Sequence, residues 1–183
     1  MTLADLGRRL RLPLGFAFAV VYLAFARPRP LAFVVGAAVA FAGLLVRAWA
    51  AGHIAKNDRL ATTGPYAHTR NPLYFGSFLI AAGFAVAAHW SLLFAVLALF
   101  ALIYAPTIEH ERAKINEMFP SEYPTYAANV PAFLPRIRPW RPPGTGEPAA
   151  FSYELYMKHR EWRAALAFFA VVTYLAARVR YGF

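Results

Sequence analysis

The chain has 183 residues, of which 60% are hydrophobic, and carries a formal charge of +10 at pH 7 with His neutral; its mean hydropathy is +0.42. That apolar share exceeds the composition of an ordinary soluble domain, and its bunching into blocks makes the bilayer the natural solvent. There is no cysteine, which excludes disulfides, thiolate catalysis and Cys-based metal or cluster sites.

Five apolar blocks occur in chain order, at 12–26, 31–51, 73–89, 91–108 and 164–177. A helix crosses the hydrocarbon core with about 20 residues, in a range of roughly 17–25. The middle three blocks meet that length or come close. The first is short and follows a basic start like that of a signal peptide. It runs into Arg27-Pro28-Arg29-Pro30, with no small-residue cleavage site after it, and reads as a retained helix. The fifth is also short, with Trp162 and Tyr181 at its edges, and reads as a span or an interfacial helix. The expected fold is an all-α polytopic membrane bundle of about five transmembrane helices. It forms one domain over 1–183, with core motifs at 52–135 and a basic link and helix at 136–183.

The connections set the topology. Blocks one and two, and blocks three and four, are joined too closely for a separate domain, so each pair is an antiparallel hairpin. The two long links, 52–72 and 109–163, then fall on one side. Fifteen of the 19 Lys and Arg lie on that side with the N-terminus, and four on the other. Excess basic residues mark the cytoplasmic side. The reading is an integral protein, in the cytoplasmic membrane, with its N-terminus and long links cytosolic. Basic residues between apolar blocks suit anionic headgroups better than nucleic acid, so no nucleic-acid partner is expected.

Two cytosolic segments carry candidate chemistry. In the first, 52–76, Gly64-Pro65 and Asn71-Pro72 bend the chain. Pro72 suits the first turn of a helix, whose free N–H groups and positive dipole end attract anions. His68, Arg70 and Asn71 gather there, with Tyr66 and Tyr74 nearby. The same devices also make an ordinary interfacial loop with an aromatic belt. In the second, 107–135, Glu109 and Glu111 follow directly on a membrane helix, where carboxylates are unusual. A continuing helix pairs Glu109 with Arg112. It also lines up Ile108, Ile115 and Phe119 as an apolar stripe, before Pro120 and Pro124 stop regular helix. Tyr123, Tyr126 and Phe133 add aromatic faces. The alternative is solvated charge capping a helix as it leaves the bilayer. Because the two segments sit at the same end of a helical hairpin, they can meet.

No GxGxxG, Walker loop or HExxH is present, so a soluble nucleotide fold is not indicated. The five histidines are dispersed and do not indicate a metal site.

The first segment reads Gly64-Pro65-Tyr66-Ala67-His68-Thr69-Arg70-Asn71-Pro72-Leu73-Tyr74-Phe75-Gly76. The second has Glu111-Arg112, Ile115, Phe119-Pro120, Tyr123, Tyr126, Val130-Pro131 and Pro135. Together they resemble the paired motifs of the isoprenylcysteine carboxyl methyltransferase and phospholipid N-methyltransferase superfamily of integral membrane enzymes. Asn71 stands where that family has histidine, and Arg112 where it has a second glutamate. Asn hydrogen-bonds but does not titrate near neutral pH.

The resemblance implies a cytosol-facing S-adenosylmethionine pocket and methyl transfer to a lipid-like or prenylated acceptor, at a carboxylate or an amine. It implies cofactor contacts from Tyr66, His68, Arg70, Asn71, Pro72, Tyr74, Glu109, Glu111 and Tyr126. Arg70 and the adjoining helix N-terminus suit the cofactor carboxylate. Glu111 and Glu109 suit its ammonium and sulfonium, and the tyrosines offer ring faces to the sulfonium. Arg47 or Arg112 is expected to orient an anionic acceptor. An NADPH-dependent membrane reductase of the related sterol-reductase type, or a non-catalytic protein retaining the fold, are the alternatives.

Overall fold

The computed structural model describes residues 20, 22–54, 59–141 and 149–182. A helical segment at 22–25 precedes six helices. These are α1 (Pro30–Ala51), α2 (Pro72–Ala88), α3 (Leu92–Met118), α4 (Tyr123–Asn129), α5 (Tyr153–Lys158) and α6 (Trp162–Tyr181). Helices α1, α3 and α6, of 22, 27 and 20 residues, are long and apolar enough to cross a membrane, and α2 is a shorter apolar helix of 17. Most of the first apolar block lies outside the described residues. The fifth block forms a helix of spanning length, α6, beginning at Trp162 and ending at Gly182 in the left-handed conformation (φ 71°), a common helix stop.

The bundle is packed with small residues inside and large ones outside. On α1 the buried positions are Gly36, Ala40, Gly43, Leu44, Ala50 and Ala51. On α2 they include Gly76, Ala82, Gly83, Ala85, Ala87 and Ala88. Leu31, Val34, Val35 and Leu45 of α1, and Leu166 and Phe169 of α6, are exposed. Lipid is as apolar as these side chains, so helix association rests on close backbone packing. α1 and α2 run antiparallel, with Gly36 against Gly83 and Gly43 against Gly76. A Cβ at Gly43 would lie 2.6 Å from the Gly76 carbonyl oxygen, and one at Gly36 would collide with that of Gly83.

α2 starts at Pro72, as the sequence predicts; Asn71 precedes it, and its side chain makes no cap hydrogen bond. It ends at His89, whose ring Nδ1 lies 2.8 Å from Ser91 Oγ in the tight turn to α3. α3 is regular except for a π-helical turn at Phe100–Tyr104. Pro106 lies just beyond it; a proline inside a helix lacks an N–H and clashes with the carbonyl four residues back. The wider turn makes room for that defect. α3 stops at Met118, before Pro120. Pro124 does not end a helix but sits in the first turn of α4, where its missing N–H costs nothing. At the bundle end away from the long links, Tyr22 donates to the Phe84 carbonyl (2.7 Å) and Arg178 to that of Leu23 (2.9 Å).

The glycine contacts predict a steep steric response. Gly43→Val and Gly83→Val are each expected to cost at least the roughly 1–3 kcal/mol of an overpacked core. Val35→Ala, on the exposed face, is expected to be near neutral. Unfolding midpoints of the purified protein in one detergent check this; equal midpoints for all three would refute the close approach.

Candidate functional site

The candidate site lies where α1 ends, α2 begins and α3 emerges. After α1, Gly64 adopts φ 57° in a turn packed directly on the buried His53 ring. The 3-10 turn Gly64–Ala67 follows, with Pro65, Tyr66 and Ala67 buried. Residues 67–71 then pair with 131–140, which run antiparallel to them. The Arg70 amide donates to the Pro131 carbonyl (2.9 Å), and the Arg136 and Trp140 amides donate to the carbonyls of His68 and Ala67 (both 2.9 Å). Side chains extend the ladder: Thr69 Oγ1 donates to the Phe133 carbonyl (2.9 Å) and Asn71 Nδ2 to that of Ala132 (2.8 Å). His68 Nδ1 meets the Arg136 carbonyl at 2.8 Å. A carbonyl only accepts, so this nitrogen carries the proton. Tyr126 of α4 donates to the Tyr66 carbonyl (2.7 Å).

A cavity of about 320 Å³ opens beside this ladder, between the 59–71 segment, the polar end of α3 and α4. Tyr66, Arg70, Asn71, Glu111, Tyr123 and Tyr126 line its inner wall, and the predicted stripe of Ile108, Ile115 and Phe119 forms its apolar side. Arg59, Arg112 and Lys114 also border it. Glu111 accepts from the Tyr74 hydroxyl of α2 at 2.9 Å. Arg70 Nη1 donates to Tyr123 at 3.0 Å, with the guanidinium 6.0 Å from that ring's centre. Two buried polar atoms lack a hydrogen-bond partner among the described residues: Arg70 Nε and the Tyr66 hydroxyl. Buried polar groups are nearly always satisfied, so these two stand out, and both belong to residues that line the cavity.

A second polar cluster adjoins the first. Arg47, in the last turns of α1, donates from Nε and Nη2 to the two carboxylate oxygens of Glu161 (3.0 and 2.6 Å) and from Nη1 to Ser77 (2.5 Å). Ser77 in turn donates to the Leu73 carbonyl. Glu161 precedes α6, after Arg160 turns the chain at φ 56°. Burial raises the phenol pKa of Tyr66; the negative charge of Glu161 adds to the rise, Arg47 opposes it and Glu111 adds a little more. Tyr126 is raised too, first by burial and then by Tyr66.

The sequence-predicted residues therefore divide. Tyr66, Arg70, Asn71, Glu111, Arg112 and Tyr126 share the cavity, and Tyr74 reaches it through Glu111. His68 and Pro72 serve the ladder and the helix start behind it. Glu109 is exposed and pairs with Arg112 (2.7 Å), outside the cavity lining. Arg47 is engaged by Glu161. The role of Glu161 is absent from the sequence-based reading. Its signal was an arginine near the end of an apolar block, which calls for a carboxylate, and a glutamate at the start of another block.

The two raised phenols set a pH dependence. Above about pH 10, the ordinary tyrosine value, the unfolded chain releases protons that Tyr66 and Tyr126 keep when folded. Their stabilising contribution is thus complete below about 10 and is lost as pH rises toward the folded values. The fall in melting temperature between about pH 9.5 and 11.5 is expected to be shallower in Tyr66→Phe/Tyr126→Phe than in the unaltered protein. An identical slope would refute their burial as neutral groups.

The family model for phospholipid methyltransferase matches residues 31–122. The nickel-cobalt-cadmium resistance protein NccN of Alcaligenes xylosoxydans xylosoxydans is 39% identical over 102 residues, covering 54% of this chain and 47% of that protein. The cobalt-zinc-cadmium resistance protein CzcN of Cupriavidus metallidurans is 35% identical over 124 residues, covering 66% and 57%. The chain thus spans about half the length of these curated relatives. No solved structure matches it. The matched residues take in α1, the 64–76 segment, α2 and the whole of α3, and with these apolar helices the chain belongs to the phospholipid methyltransferase family of integral membrane proteins.

Proposed function

We propose that this protein is an S-adenosylmethionine-dependent methyltransferase of the cytoplasmic membrane, acting on a lipid-like acceptor from a cytosol-facing cavity. The observation that carries this reading is the cavity wall itself. Arg70 and Tyr66, whose buried Nε and hydroxyl have no partner among the described residues, stand in the same lining as Glu111, Tyr123 and Tyr126. The cofactor supplies an electrophilic methyl group on a sulfonium and carries a carboxylate, an ammonium and a purine.

The residues fit that set of groups. Arg70, with Arg59 nearby in the lining, offers charge-assisted donors to a carboxylate. Glu111, steadied by Tyr74, offers an acceptor to an ammonium. The rings of Tyr66, Tyr123 and Tyr126 offer π-faces to a sulfonium, and the Ile108–Ile115–Phe119 side suits a flat apolar ring. Little acid–base chemistry is asked of the chain: the residues bind, orient and exclude water, so the rate gain is one of positioning. Asn71 is compatible with this, because its amide is spent on the Ala132 carbonyl and no step requires it to titrate. Family membership supports methyl transfer, and the apolar helices support an acceptor arriving through the bilayer. The metal resistance named for the two relatives supplies no acceptor. Among the described residues no group of three or more His, Cys, Asp or Glu is placed to hold a metal ion.

Calorimetric titration of the purified full chain with S-adenosylmethionine, S-adenosylhomocysteine and NADPH tests the reading. Both S-adenosyl compounds are expected to bind and NADPH is not; the reverse pattern would support the reductase alternative, and binding of neither S-adenosyl compound would refute the reading. Arg70→Ala and Glu111→Gln are each expected to weaken the S-adenosyl compounds by about 10–100-fold, as loss of a hydrogen bond to a charged group implies. Unchanged affinity in both would remove these residues from the site.

A further inference from the structure

Arg47 sits in a carboxylate-binding arrangement that is already filled. Planar guanidinium and carboxylate meet in a two-pronged pair, with Arg47 and Glu161 side chains 23% and 12% exposed. Ser77 takes the third direction at 2.5 Å. The carboxylate comes from a part of the chain outside residues 31–122, to which the family match is confined. Arg160, in the left-handed conformation at φ 56°, turns the chain just before Glu161. Arg47 lies on the first turns of α2, against Gly76 and Ser77, and that same end of α2 carries Asn71, which lines the cavity, and Tyr74, whose hydroxyl bonds the cavity's Glu111. The cluster therefore adjoins the cavity wall without lining it.

We propose that Glu161 is a specificity-determining residue, a built-in carboxylate that occupies the anion site of Arg47 and thereby excludes lipid acceptors whose reacting group is a carboxylate. This rests on reading the neighbouring cavity as the methyl-donor pocket. An incoming carboxylate can reach Arg47 only by displacing Glu161. The displaced group is then a nearly buried charge at a membrane boundary with its cation taken by the competitor, and an uncompensated buried charge is strongly unfavourable. An uncharged amine does not compete for Arg47 and meets no such barrier. Discrimination arises from the repulsive element and not from extra affinity for the favoured acceptor.

The test uses the full chain in detergent with two probes, N-acetyl-S-farnesylcysteine and its methyl ester, which differ only in the free carboxylate. Wild type is expected to bind the acid no better than the ester. Glu161→Gln is expected to bind the acid at least about tenfold tighter than wild type, the scale of one charge-assisted hydrogen bond, with the ester unchanged. Arg47→Gln/Glu161→Gln, which removes both charges, is expected to lose that gain. Equal affinity of wild type and Glu161→Gln for the acid would overturn the proposal. So would an equal gain for the ester, or a gain that survives in the double variant. If Glu161→Gln does not fold alone, recovery of folded protein with the acid and not with the ester supports the proposal, and recovery with neither overturns it. S-adenosylmethionine affinity is measured in parallel: its absence in wild type refutes the methyl-donor pocket, whereas the acid–ester comparison reads the Arg47 site directly.

Discussion

The close approach of α1 and α2 is the constraint on which the site depends. Two glycine pairs, Gly36–Gly83 and Gly43–Gly76, let the helix backbones touch. In a bilayer this contact replaces the hydrophobic force that holds a soluble core together. It also fixes chemistry. With Gly76 lacking a side chain, the stem of Arg47 lies directly on the α2 backbone, and its guanidinium reaches Ser77 and Glu161. A bulkier residue at 76 would push away the arginine that ties α1 to the start of α6.

The second constraint is the ladder between 67–71 and 131–140. The loop before α2 has little regular structure of its own, and near the membrane its amides and carbonyls need partners. The chain after α4 supplies them. Tyr126 completes the arrangement by satisfying the Tyr66 carbonyl while packing among Tyr123 and Val130. The ladder thereby ties two irregular segments into one wall, in which the Tyr66 hydroxyl and Arg70 Nε are buried without a partner among the described residues. A wall ordered before a ligand arrives costs less to bind.

Much of this was legible in the sequence. Pro72 and the close join between the third and fourth apolar blocks marked both ends of α2, and the Glu109–Arg112 spacing pointed to their ion pair because α3 continues as helix beyond the apolar run. The paired motifs named Tyr66, Arg70, Asn71, Glu111 and Tyr126 as neighbours. Other features were hidden for physical reasons. Pro124 looked like a breaker, yet a proline is equally at home in a first helical turn. The Arg47–Glu161 pair spans 114 positions, and sequence spacing says nothing about partners so distant. Asn71, conspicuous as a departure from a motif, proved to have a structural use that a motif comparison does not reveal.

The π turn at Phe100–Tyr104 has one more consequence. A π turn spends an extra residue on one circuit of the helix, and each residue of a regular helix advances it by about 100°. Everything in α3 beyond Tyr104 is therefore rotated by roughly that angle relative to an unbroken helix. On an unbroken helix Ile108, Glu111 and Ile115 would stand well round from Val96 and Phe100; the offset brings them back toward the same side. Val96, Phe100 and Tyr104 pack with Ala85 of α2, Tyr74 of α2 meets both the Tyr104 ring and the Glu111 carboxylate, and Ile108, Glu111 and Ile115 line the cavity. The single surplus residue thus keeps one continuous side of α3 on its neighbour and on the cavity beside it.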